Sequence, residues 1–243
     1  MLKNTILLLT AALGVLAGPV RKTPAELSVK VIKGSSKDLS SLELPQANAA
    51  ILLFRSRLGE SGTHALHRTL SNSTGKFVGA TMRAQGYAPH SVFNATTVGL
   101  WFIAGGTGFF NDFLKTSPEH YLSLSAGGTT DPKAVIESIE NWGPGPITYF
   151  KGIPETKPAF VPELREFPAQ FKSTLALVLA DGTMFAHAVT AFRDLPGGVG
   201  VEIFEGIWIP DSAPTEVLAG LEAHITVEFS NWLKLAYKKA VGA

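Results

Sequence analysis

Apolar and polar residues alternate from Leu27 to Lys33 and the run stops at Gly34-Ser35-Ser36, which predicts a strand entering a turn. The continuous apolar run Ala49 to Phe54 fits a buried strand or a helix alike, and Glu60 to Leu70 reads as helix. Lys76 to Val78 and Val98 to Ile103 are candidate strands or buried segments, Phe109 to Leu114 a short helix, and Ser117-Pro118-Glu119 a helix start or turn. Tyr121 to Ser125 and Ala134 to Trp142 form a hairpin around Gly127-Gly128, with Ile147 to Lys151 following the Gly-Pro-Gly-Pro turn at 143 to 146. Residues 152 to 168, interrupted by Pro154, Pro158, Pro162 and Pro168, read as a loop.

The pattern is clearest near the C-terminus. Thr174 to Leu179 and Met184 to Phe192 flank Asp181-Gly182, a pair that tolerates the positive φ of a tight hairpin turn. A second turn, Asp194 to Gly198, leads into Val199 to Ile209, giving three antiparallel strands in a meander. From Ser212 to Lys239 the apolar residues Leu218, Leu221, Ile225, Phe229, Trp232 and Ala236 fall on one helical stripe. Asp211 or Ser212 is the expected N-cap, and Lys234, Lys238 and Lys239 suit the negative end of the helix dipole. The stripe must be covered, and the sheet just before it is the economical partner. The expected fold is therefore α+β, a curved antiparallel sheet packed on a long C-terminal helix as in helix-grip or NTF2-like cones, with shorter helices in the N-terminal half.

Composition narrows the setting. In 243 residues, 45% are hydrophobic and 17% charged, which excludes extensive disorder, and there is no cysteine, which excludes disulfides, thiol nucleophiles and cysteine zinc sites. Residues 1 to 17 place Lys3 ahead of an apolar run ending in small residues, as a secretory signal peptide cleaved after Ala17 does; a membrane span needs about 20 apolar residues. Cleavage takes the basic count from 21 to 20 against 20 acids, so the mature chain is neutral and offers no electrostatic case for nucleic acid. The expectation is a secreted, extracellular protein without a membrane span, with a lead-in over 18 to 26 and one domain over 27 to 243. Asn72-Ser73-Thr74 and Asn94-Ala95-Thr96 are sequons, so Asn72 and Asn94 are candidate glycosylation sites.

Candidate chemistry rests on residues that break the pattern. Glu205 sits in the alternating row Val201, Ile203, Glu205, Ile207, Ile209, and an unpaired carboxylate there costs several kcal/mol unless it is paired, protonated or facing a wet cavity. The competing reading is that a bulge or the strand's solvent face turns it outward. His224, Glu228 and Asn231 are spaced four and three apart and share one flank of the helix, either facing one ligand or forming an ordinary helix-edge group. His187, between Phe185 and Val189, is expected to face the same space, or to be a hydrogen-bonded core histidine. His64 and His67 are three apart, but no third metal ligand is identifiable beside them, and no metal or cofactor is assigned. The clusters Gly105-Gly106-Thr107-Gly108 and Gly197-Gly198-Val199-Gly200 match no phosphate-binding motif and read as turns; Gly59 to Gly62 lacks the spacing of a nucleophile elbow.

The segments Ser117 to Tyr121, Ile139 to Gly143, Leu179 to Thr183, Phe192-Arg193-Asp194 and His224 to Trp232 (HITVEFSNW), in this order, resemble a group of uncharacterised secreted fungal proteins over roughly residues 109 to 233. The resemblance implies a fungal source and no established activity. The outline of a sheet followed by a gripping helix is similar to helix-grip ligand-binding and cyclase folds, an analogy of fold alone. Two functions follow as expectations. One is a cavity between sheet and helix that binds a small hydrophobic molecule and isomerises, cyclises or dehydrates it, with His187 or His224 as acid or base and Glu205 or Glu228 orienting it. The alternative is a non-catalytic secreted or wall-associated interaction protein whose interior is packed.

Overall fold

The computed structural model describes residues 27–34, 72–88, 92–108, 114–126, 135–145 and 147–242. The signal peptide and lead-in, the run from Ala49 to Phe54, the helix over 60–70, the His64/His67 pair and all of the short helix before Leu114 lie outside the described residues. The elements in chain order are β1 (Ser28–Lys33), β2 (Phe77–Tyr87), α1 (Ala95–Gly108), β3 (His120–Ala126), β4 (Val135–Glu140), β5 (Thr148–Pro154), β6 (Phe171–Leu179), β7 (Met184–Asp194), a 3-10 turn (Pro196–Gly198), β8 (Gly200–Pro210) and α2 (Thr215–Val241). The strands form one eight-stranded antiparallel sheet in the order β1-β2-β8-β7-β6-β5-β4-β3, curled around the long helix α2. This is the α+β, helix-gripping architecture expected from the pattern.

Strand β8 has every residue buried because both faces of the central sheet are covered. Val201, Ile203, Ile207 and Ile209 point to the concave face, where they join Leu221, Ile225, Phe229 and Leu233 of α2 in the main core. Phe204 and Trp208, one residue out of phase, point to the convex face and pack with Val189, Ala191, Val161 and Phe167 in a second core beneath the proline-bearing segment. On that convex face Glu202 is fully buried; Arg83 Nε donates to its Oε1 at 2.8 Å and Arg193 donates to its Oε2 from Nε at 3.0 Å and Nη2 at 2.7 Å. Glu202 is held below the usual carboxylate range: burial opposes this, but the hydrogen bonds from Arg193 and Arg83 outweigh it.

Three local expectations are corrected. Val98 to Ile103 is not a strand but the middle of helix α1, and Gly105 to Gly108 is its last turn rather than a loop. A continuous apolar run is ambiguous in period, and the start is decided by Asn94, whose Oδ1 accepts the Thr97 N–H at 2.9 Å as an N-cap. Strand β2 runs far beyond Lys76 to Val78, because its inward positions Ala80, Met82 and Ala84 alternate in burial while offering little contrast in hydropathy. Helix α2 begins at Thr215 with Pro214 as N-cap, not Asp211 or Ser212. Asp211 instead accepts hydrogen bonds from Ser73 Oγ at 2.8 Å and the Thr74 N–H at 3.0 Å, tying the entry of β2 to the exit of β8.

Helix α2 is positioned by close backbone contact. A Cβ added at Gly220 would lie 2.7 Å from Pro144 Cδ and 2.8 Å from Gly143 Cα, so the 141–145 turn rests directly on the helix. Alanine normally stabilises a helix interior by about 1 kcal/mol over glycine. Here Gly220→Ala is expected to destabilise by about 1–3 kcal/mol, because the backbone of the turn must move. Urea denaturation checks this, and an unchanged or higher midpoint would show that the turn gives way freely.

Candidate functional site

The concave face, α1 and α2 border a half-open cavity of about 90 Å³. Its apolar wall includes Phe102, Phe150, Leu175, Leu177, Ile207 and Phe229, and its polar wall is Ser138, Glu140, Thr190, Glu205 and Glu228. Register explains the polar set: Thr190 pairs with Glu205 across β7 and β8, and Met82 pairs with Glu205 across β2 and β8, so this carboxyl sits at the middle of the sheet. Glu205 is buried, and its Oε2 has no hydrogen-bond partner among the described residues. Burial pushes its carboxyl well above the ordinary range; a hydrogen bond with Thr190 works the other way and the Glu228 charge adds to the rise.

Beside the cavity lies a buried cluster centred on His224. Its Nδ1 is 2.8 Å from Glu119 Oε2, and its Nε2 is 3.2 Å from His120 Nε2, 3.5 Å from Glu228 Oε2 and 3.7 Å from Glu140 Oε2. His120 Nε2 is 3.6 Å from Glu228 Oε2, and His120 Nδ1 is 3.2 Å from Thr116 Oγ1. Burial disfavours a charged His224, but the hydrogen bonds to Glu119 and Glu228 and the charges of Glu228 and Glu140 outweigh it and raise its pKa to about 10. Burial likewise opposes a charged Glu228, yet His120 and His224 hold its carboxyl well below the ordinary value. Ligand atoms of His120, His224 and Glu228 all lie within 4.8 Å of one another, so these are residues with the chemistry to hold a metal ion.

Four stretches of chain build this cluster. His224 and Glu228 are one turn apart on α2, and Asn231, another turn on, donates from Nδ2 to Thr116 O at 3.0 Å, anchoring the loop that leads into β3. In that loop the Glu119 N–H bonds Ser117 Oγ at 3.2 Å, and the Asn141 N–H bonds Glu119 O at 3.1 Å. His120 opens β3 and pairs in register with Glu140, which closes β4, so the hairpin delivers both side chains at one end. Trp142 Nε1 donates to Glu140 Oε2 at 3.1 Å, and the Gly143 N–H donates to Glu119 Oε2 at 3.2 Å.

Of the residues singled out from sequence, Glu205, His224 and Glu228 are brought to this region. His187 is not. It pairs in register with Trp208 and so points to the convex face, where its Nδ1 bonds Glu155 and its ring meets Phe77 and Phe160 edge-on. The pleat decides this, since Thr190 shares the face of Glu205 and a residue three positions away must take the other. Asn72 is exposed, and Asn94 is half-buried with its carbonyl engaged in capping α1. Sequence reasoning did not single out His120, Glu119 or Glu140 as site residues. The available signals were their place in the Ser117–Tyr121 and Ile139–Gly143 segments that carry the fungal resemblance and, for His120, its position one residue ahead of the expected hairpin.

No family model matches the chain, and no curated protein does. Solved structures give partial likenesses. The NMR solution structure of KanY protein overlaps with a TM-score of 0.47 at 12% identity, covering 67% of this chain and 99% of that one. The crystal structure of Ara h 8.0201 gives 0.40 at 11%, covering 68% and 100%. Protein Ms6760 from Mycobacterium smegmatis gives 0.41 at 10%, covering 68% and 93%. At this level of identity and overlap they transfer no ligand or activity to this chain.

Proposed function

We propose that the protein binds a small, largely apolar molecule in the cavity between the concave sheet and α2, with the molecule's polar group at Glu205, and that Glu205 exchanges a proton with it in a lyase- or isomerase-type reaction. The observation that carries this reading is the orphaned Oε2 of Glu205 on the wall of a cavity lined mainly by aromatic and aliphatic side chains. A buried oxygen without a partner costs about 1–3 kcal/mol, a cost that a bound hydroxyl or carbonyl relieves. Pockets for drug-sized ligands run to roughly 300–1,000 Å³, so a cavity of about 90 Å³ suits a molecule of few heavy atoms or the reacting end of a longer one.

The test combines stability with binding. Glu205→Leu is expected to raise stability by about 1–2 kcal/mol, since it removes an unsatisfied polar group and fills space. Phenol, cyclohexanone and benzyl alcohol are expected to raise the melting temperature of the parent and to lose that effect in the leucine variant. A less stable Glu205→Leu, or probes that stabilise neither protein, would overturn the reading in favour of a packed, non-catalytic interaction protein.

A further inference from the structure

We infer that His120 Nε2, His224 Nε2 and Glu228 Oε2 bind a divalent transition-metal ion of the zinc class, with Glu140 beside the fourth coordination position at the cavity wall. This deepens the cavity reading by giving its polar end a Lewis acid, but the ion site stands on its own geometry.

Three observations support it. First, the spacing is that of ligands around an ion. Ligand atoms about 2.0–2.2 Å from a tetrahedral zinc lie roughly 3.3–3.6 Å from one another. The edges here are 3.2 Å between the two Nε2 atoms and 3.5 Å and 3.6 Å from each to Glu228 Oε2.

Second, the outer nitrogens are committed. His224 Nδ1 faces Glu119 Oε2 at 2.8 Å and His120 Nδ1 faces Thr116 Oγ1 at 3.2 Å. With each Nδ1 turned outward, the two Nε2 atoms and the Glu228 carboxylate converge on one point; in the metal-free chain protons hydrogen-bonded to Glu228 hold it, and a divalent ion takes their place by displacing them. A carboxylate or hydroxyl that accepts from the far nitrogen is also what fixes metal-ligating histidines in their tautomer.

Third, the ligands come from rigid elements. Two lie one turn apart on α2, and the third opens β3, whose loop is pinned to the same helix through Asn231 and Thr116. All three side chains are at least nine-tenths buried, which excludes an ordinary solvated acidic patch. Glu140, held by Trp142 Nε1, borders both the cluster and the cavity, so a molecule in the cavity reaches the ion from that side. With two nitrogen ligands, one carboxylate and no thiolate, the set suits zinc over calcium or magnesium, which prefer all-oxygen shells.

The competing occupant of the same point is a proton shared by the two imidazoles, and the experiment separates them. The full chain, stripped with EDTA, is titrated with Zn²⁺ under calorimetry and with Co²⁺ under visible spectroscopy. The expected result is one ion per chain, the intense d–d bands of tetrahedral cobalt, and a higher melting temperature that EDTA reverses. His120→Gln and Glu228→Gln are expected to abolish the cobalt bands. Glu119→Gln is expected to weaken binding by about 10–100-fold, as loss of an outer partner does. Metal uptake is read with no cavity probe present and the probe shifts are read in EDTA, so the ion site and the cavity reading fail separately. A folded parent that takes up neither metal overturns the inference, as does cobalt binding undiminished in His120→Gln and Glu228→Gln. Should those variants not fold, the parent titrations alone decide it.

Discussion

Replacing His224 with leucine in the metal-free chain is expected to cost about 3–5 kcal/mol at pH 6, the effect of stripping buried carboxylates of their partner. The imidazole lies against Glu119, Glu140 and Glu228, all buried, and leucine offers none of them a hydrogen bond or a charge. The deficit should depend on pH with a definite sign. Folding raises the His224 pKa from 6.5 to about 10, so its contribution is complete below the unfolded value and is lost as the pH climbs through the folded one. Urea unfolding of parent and variant in EDTA, from pH 5 to 10, should show the two curves converging upward. On the acid side, folding lowers the Glu228 pKa, so its share is present above the ordinary carboxylate value and fades as the pH falls below it. A gap between parent and variant that stays constant from pH 5 to 10 would show that the buried charges are not organised around His224.

The second large effect lies on the opposite face of the sheet. Changing Arg83 and Arg193 together to methionine leaves Glu202 fully buried without its two guanidinium partners, and a loss of about 3–5 kcal/mol is expected. Changing Glu202 to leucine should cost much less, because the side chains of Arg83 and Arg193 are 27% and 24% exposed and can turn to water. Folding lowers the Glu202 pKa, so the stabilisation is present above the ordinary carboxylate range and disappears as the pH falls through the folded value. The double variant should therefore approach the parent in stability as the pH falls below the ordinary carboxylate range. A double variant no worse than Glu202→Leu at pH 7 would mean that water reaches the carboxylate, and the face would have to be reread as solvated. Both guanidinium groups also lie over the Phe167 ring, at 5.6 and 4.6 Å, so methionine rather than alanine keeps the apolar contact and isolates the charge.

The two predictions concern the two faces of one strand, and that strand shows why parts of this protein were legible. Alternation along β8 put Glu205 in an aliphatic row, and three- and four-residue steps along α2 put Glu228 and His224 on the flank of the apolar stripe. Both patterns are properties of a single element, since the periods of 2 and 3.6 follow from backbone geometry alone. The meander, its Asp-Gly turn, and the long terminal helix ending near Lys239 were determined in the same way.

What the sequence left open was every property that depends on a second element. The face of His187 was settled by its pairing with Trp208 of β8, and the helical state of Ala95–Gly108 by a cap at Asn94 together with a place beside Phe171 and Phe192. The cluster itself was invisible because His120 and Glu140 are 104 and 84 residues from His224 along the chain. Their spacing carries no motif. Only the β3–β4 register, and the anchoring of the Thr116 loop on α2, brings them within hydrogen-bonding range of the helix. Local periodicity determined which side chains would be forced inward, and the closing of the sheet around the helix decided which of those would meet.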